Sequence, residues 1–139
     1  MPAFSESSED KLETCDPRLQ EILRTVIQFY DFTIICGTRN EADQNKAYSS
    51  GNSKVQYPDS KHNSSPSLAV DVAPFPIDWN ELPRFYALAG RIQQVADMLD
   101  IPIRFGGDWN DNDITKDNRF NDLCHFELVE PDVTINISA

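Results

Sequence analysis

The sequence predicts an α+β fold, a small antiparallel sheet with helices packed on one face. Three observations lead there. Two long stretches carry apolar residues at helical spacing, four short runs alternate or are rich in β-branched residues, and no regular strand–helix–strand succession suggests a parallel sheet. With 139 residues, 40% of them hydrophobic, the chain is long enough to bury one core.

Residues 1–15, beginning "MPAFSESSED", read as a polar lead-in, and residues 16–139 as a single domain. "DPRLQEILRTVIQFY" is a helix. Asp16 suits its N-cap, Pro17 its first position, and Leu19, Ile22, Leu23, Val26, Ile27 and Tyr30 its apolar stripe. "FTIICG", Phe32 to Gly37, is short, β-branched and closed by glycine, the marks of a strand. "TRNEADQNKAYSSG" predicts a short helix stopped by Ser49, Ser50 and Gly51. Residues 52–67, rich in Ser, Asn, Pro and Lys, make a surface loop. "LAVDVA" alternates, with Leu68, Val70 and Val72 on one face and Ala69, Asp71 and Ala73 on the other. "NELPRFYALAGRIQQVADMLD" is a second long helix, capped by Asn80, with Phe85, Leu88, Ile92, Val95 and Leu99 as its stripe. "IPIRFGGDW" runs as a strand into a turn, "DNDITKDNRFND" is an acidic loop, and "CHFELV" is a last strand.

A formal net charge of −11 disfavours nucleic acid and anionic membrane surfaces, and suits small polar ligands, peptides and divalent cations. No apolar run approaches the ~18–20 residues needed to cross a bilayer, so no membrane insertion is expected. The acidic N-terminus lacks the basic-then-apolar layout of a secretory signal, so synthesis in the cytoplasm without export by that route is expected. Cys15, Cys36 and Cys124 are odd in number and show no CxxC spacing, so they read as free thiols.

One feature conflicts with a simple core strand. Asp71 stands in the middle of an apolar run, where an unpaired charge costs several kcal/mol or more, and His62 leads into it. The other histidine, His125, lies in the last strand, where it shares a face with Glu127 opposite Cys124, Phe126 and Leu128. If these two strands are neighbours, an imidazole and a carboxylate meet on the polar face of the sheet, and the loop bearing His62 can add a third donor. Two imidazoles and a carboxylate with an open position is the donor set of a catalytic zinc, and a dication would make the buried carboxylate favourable. Patterning alone leaves the plainer alternative standing, of an Asp facing solvent and histidines satisfied locally.

The blocks "GTRNEADQ", "SKHNSSPSLAVDVAP", "IDWN", "RFGGDWN" and "DLCHFELV" occur in an order that resembles a zinc peptidase family. That family holds phage L-alanyl-D-glutamate endopeptidases together with D-alanyl-D-alanine carboxypeptidases and dipeptidases. The resemblance covers about residues 16–130, is closest to the phage endolysin branch, and implies the Hedgehog/D-Ala-D-Ala peptidase-like fold. It implies that His62, Asp71 and His125 hold one catalytic zinc, that Asp122 is the catalytic carboxylate, and that Arg39 meets the developing oxyanion. The interval from His62 to Asp71 departs from the family's shorter, Gly-containing one. Here eight residues, "NSSPSLAV", intervene, a length change that a loop absorbs cheaply.

The resemblance implies a peptidoglycan hydrolase acting on the stem peptide, first of all at the L-Ala–D-Glu bond. It would be a monomer that waits in the host cytoplasm, or travels in a virion, and acts on the wall after release. A D-Ala-D-Ala carboxypeptidase and a non-catalytic virion structural or binding module remain alternatives. Glu127 is either an orienting partner of His125 or, by default, a solvated strand residue. Ser60 is a weaker candidate for lining the site. Asp108, Asp111, Asp113 and Asp117 form at best a loose calcium loop without its closing glutamate. Trp79 and Trp109 are expected to pack against the core.

Overall fold

The computed structural model describes residues 1–108 and 122–129. Its elements run α1 (Glu6–Leu12), α2 (Pro17–Val26), β1 (Phe32–Cys36), α3 (Glu41–Ser49), a single 3-10 turn (Lys61–Asn63), β2 (Ala69–Pro74), α4 (Leu82–Met98), β3 (Ile103–Phe105) and β4 (His125–Leu128). The strands form one sheet in the order β1-β2-β4-β3, and all three neighbouring pairs are antiparallel. This is the α+β architecture the sequence predicts.

Helix α2 begins where its cap chemistry dictates. The Asp16 side chain accepts from the Arg18 backbone N–H at 2.8 Å, Pro17 opens the helix, and Leu19, Ile22, Leu23 and Val26 face inward. Helix α4 starts later than expected. Asn80 is not its cap, because its N–H is taken into a turn by Asp78, and the cap position falls to Glu81, which makes no side-chain capping bond. Phe85, Leu88, Ala89, Ile92, Val95 and Ala96 form the buried face of α4, which packs against α2, β2 and β3.

The expectation of a polar lead-in over residues 1–15 is corrected. Ser5 caps α1 by accepting from the Ser8 N–H, and α1 packs on β1. Leu12 and Cys15 join the hydrophobic core, and the buried Ser8 hydroxyl accepts from the Ile34 N–H. The segment buries so few apolar side chains that its helix leaves no periodic stripe to read.

The sheet separates two environments. Val70 and Val72 from β2, with Phe126 and Leu128 from β4, enter the core, where the Phe126 ring stacks on Phe105 at 5.0 Å. Asp71, His125 and Glu127 alternate to the opposite side. Strand β1 is irregular between Ile34 and Cys36, where the register slips so that Cys36 lies opposite Asp71. Among the described residues no helix is long and apolar enough to cross a membrane.

Candidate active site

The two strands that carry the acid and the imidazole are direct neighbours, with Asp71 opposite His125 in the register. His62 arrives from the 3-10 turn. Asp71 Oδ1 stands 3.2 Å from both His62 Nε2 and His125 Nδ1, and those two ring nitrogens are 3.3 Å apart. The turn is held by a capping box: Ser60 Oγ accepts from the His62 N–H, and Asn63 Oδ1 accepts from the Ser60 N–H. Ser60 therefore orients the His62 backbone.

The outer nitrogen of each ring is engaged by an acceptor, which fixes its tautomer. His62 Nδ1–H donates to the Gly37 carbonyl at 2.8 Å, and His125 Nε2–H donates to Glu127 Oε1 at 2.9 Å. Gly37 can offer that carbonyl because it has no side chain: a Cβ there would run into Thr14 and the Lys11 carbonyl. Glu127, only 9% exposed, also pairs with Lys61 at 3.1 Å. The default reading of Glu127 as a solvated strand residue is thus corrected. Its carboxyl titrates near 2: burial opposes this, but the bond to His125 and the charge of Lys61 prevail.

With both outer nitrogens donating, two ring lone pairs and a carboxylate oxygen converge within 3.3 Å in a buried spot. Three acceptors so placed repel one another unless a cation or extra protons stand between them. This donor set fits a borderline dication such as zinc. The same crowding governs the protons. Burial would lower His62, yet its bond to Asp71 outweighs that and lifts it to about 10, and His125 rises for the same reason. Burial would raise Asp71, but the two imidazoles hold it well below the carboxylate range. Cys36 also lies close enough to His62 and Asp71 to share a metal. Its sulfur meets His62 at Nδ1, 3.9 Å away, on the nitrogen already given to Gly37.

Arg39 comes within 3.3 Å of Asp71 Oδ2, the carboxylate oxygen not shared by the imidazoles. Asp122 approaches from the other side. One of its oxygens, one of Asp71 and the Cys124 sulfur lie within 4.8 Å of one another, and the Cys124 thiol donates to Asp122 Oδ1 at 3.1 Å. Burial, reinforced by the charge of Asp71, raises the Asp122 carboxyl above its ordinary range. The backbone places Asp122 through Gly106, whose carbonyl accepts from the Asp122 N–H and whose N–H donates to the His125 carbonyl. A Cβ on Gly106 would collide with the Asp122 backbone, so the first glycine of "RFGGD" is required by this approach.

All five site residues expected from the sequence therefore line one open cleft of about 1270 Å³. Trp79 lines it too. It stacks on the buried Phe85, the expected packing against the core, yet remains 55% exposed. Sequence reasoning missed Gln44, which is fully buried and bonded to Arg39. Its sequence signals were its place as the last letter of the block "GTRNEADQ" and its position in a helix with no clear apolar stripe. Asp108 is buried rather than part of a solvated loop, while Asp111, Asp113, Asp117 and Trp109 lie outside the described residues.

Comparison with known proteins bears on the family and the fold. A family model for phage L-alanyl-D-glutamate peptidase matches residues 2–129. An L-alanyl-D-glutamate peptidase of Escherichia phage T5 is 38% identical over 112 residues, which cover 77% of this chain and 81% of that protein. The crystal structure of the Serratia marcescens L-Ala D-Glu endopeptidase ChiX superposes with a TM-score of 0.72 at 24% identity. The match covers 91% of this chain and 90% of that one and extends the likeness to the fold. The extent of the family match and the identity to the phage relative make the chain a member of the phage L-alanyl-D-glutamate peptidase family.

Proposed function

We propose that the protein is a zinc-dependent peptidoglycan peptidase that hydrolyses the stem peptide between L-Ala and D-Glu. The observation that carries the reading is the convergence of His62 Nε2, Asp71 Oδ1 and His125 Nδ1 on the cleft floor, with the Asp122 carboxylate beside them. The family's name, phage L-alanyl-D-glutamate peptidase, supports the choice of bond.

A zinc ion bound by His62, Asp71 and His125 would lower the pKa of a water to about 7 and polarise the scissile carbonyl. Asp122 takes the proton of the attacking water and returns it to the leaving amine. Its placement on the turn before β4, rather than within the strand, lets it lean toward the cluster against strict alternation. Arg39 keeps the second oxygen of Asp71 in place and offers its planar fork of donors to charge developing on the carbonyl oxygen. Gly37 and Glu127 hold the two imidazoles in the tautomers that present lone pairs to the cleft. Trp79 and the exposed Val55 give the wall an apolar surface beside these polar groups.

Digestion of purified peptidoglycan followed by mass spectrometry tests the reading. Stem peptides with a new N-terminal D-Glu, with zinc in the purified protein by elemental analysis, are the expected outcome. Free D-Ala as the product would make the enzyme a carboxypeptidase instead. An inert protein that nevertheless binds zinc would overturn the catalytic reading.

A further inference from the structure

Gln44 is the one fully buried polar side chain of α3, and all of its amide capacity is used. Its Oε1 accepts from Arg39 Nη1 at 2.9 Å and from Asn63 Nδ2 at 3.2 Å. Its Nε2 donates to Ser53 Oγ at 2.9 Å and to the Val55 carbonyl at 2.7 Å. Arg39 in turn reaches Asp71 Oδ2, and its backbone N–H donates to the His62 carbonyl at 2.7 Å. Asn63, next to His62, closes the circuit by donating to the Arg39 carbonyl at 3.0 Å.

We infer that Gln44 is a positioning residue. It aims the Arg39 guanidinium at Asp71 and ties that aim to the residue 53–55 wall of the cleft. The chemistry favours this over simple packing. A guanidinium 16% exposed at its side chain would otherwise turn toward water, and a single contact at 3.3 Å to Asp71 is too weak to hold it. The Gln44 oxygen supplies a second, shorter anchor that sets the plane of the fork. With the plane set, Nη2 restrains Asp71 Oδ2, which leaves Oδ1 free for the two imidazole nitrogens. Groups that restrain ligands in this way typically change metal affinity or activity by about 10–100-fold when removed.

The inference rests on the zinc-peptidase reading, so zinc affinity by chelator competition is measured together with kcat and KM. Gln44→Asn keeps the amide but cannot reach both Arg39 and Val55. It is expected to weaken zinc binding and lower kcat by about tenfold, with KM little changed. In an Arg39→Ala background Gln44→Asn should have no further effect on zinc affinity, since it acts through Arg39. Wild-type zinc affinity and kcat in Gln44→Asn, or losses that multiply with those of Arg39→Ala, would overturn the inference.

Should Gln44→Asn not fold, Arg39→Lys decides. A lysine cannot bridge Gln44 and Asp71 with two nitrogens, so zinc affinity should again drop about tenfold; unchanged affinity refutes the relay. Failure of the wild-type protein to bind zinc would instead remove the functional reading itself.

Discussion

The two faces of β2 and β4 are built from alternate residues of the same strands, yet they obey different rules. On one face Val70, Val72, Phe126 and Leu128 pack into the core and interact only through shape. On the other, Asp71, His125 and Glu127 are nearly as buried but interact through directed bonds at 2.9–3.2 Å. The apolar face needs volume, and many side chains could supply it. The polar face needs particular atoms at particular positions, because each buried donor or acceptor left alone costs about 1–3 kcal/mol. A two-residue period in the chain thus sets stability on one side and chemistry on the other.

The largest expected effect separates the two faces most sharply. Asp122→Asn keeps the shape and can still accept from Cys124, but cannot take a proton. Peptidoglycan hydrolysis should fall by about 10²–10⁴-fold, while the melting temperature holds or rises because a buried carboxylate is gone. A matching loss of stability would show that Asp122 belongs to the scaffold and not to the chemistry.

Phe126→Ala is the mirror experiment. It empties a fully buried position stacked on Phe105 and should cost about 3–5 kcal/mol in chemical denaturation. Zinc affinity of the folded fraction should change little, although His125 and Glu127 flank the substitution. A large loss of affinity at full folding would mean that the core face sets the geometry of the polar one.

The face division was legible in the sequence within the strands, from the alternation of "LAVDVA" and "CHFELV", but Cys124, expected on the apolar face, precedes β4 and lines the cleft beside Asp71 and Asp122. The strand partnership that makes Asp71 and His125 meet could be posed only as a condition, because antiparallel register depends on contacts distant in sequence. Other features left no pattern at all. Helix α1 buries too little to show a stripe. Gln44 is marked by its bonds and not by its type. Asn80 had the right chemistry for a cap, but Asp78 claims its N–H first. Glu127 looked solvated because its partner Lys61 reaches it only through the turn at Ser60, although His125 already shared its face.

Glu127→Gln tests the polar face with a smaller change. The amide can still accept from His125 through its oxygen, but the negative charge that makes the imidazole a better donor to a metal is lost, as is the ion pair with Lys61. Zinc affinity is expected to fall by about 10–100-fold, and the zinc-free protein should also lose stability, because the replaced carboxylate is buried and paired. An unchanged affinity would reduce Glu127 to an orienting contact that any acceptor can replace.

The gentlest probe is pH, which acts on the polar face and leaves the apolar one untouched. In the zinc-free protein His62 titrates at about 10 when folded and near 6.5 when unfolded, so the folded chain holds the extra proton between those values. The stabilisation is complete below about pH 6.5 and is lost as pH rises toward 10, with a slope below about 1.4 kcal/mol per pH unit for one proton. Zinc competes for the same lone pair and expels that proton, so zinc binding must tighten over this window while zinc-free stability declines. Denaturation curves with chelator and with excess zinc should therefore diverge from pH 6.5 upward. Parallel curves would mean that the metal does not take the nitrogen now facing Asp71, and that the convergence of lone pairs is relieved in some other way.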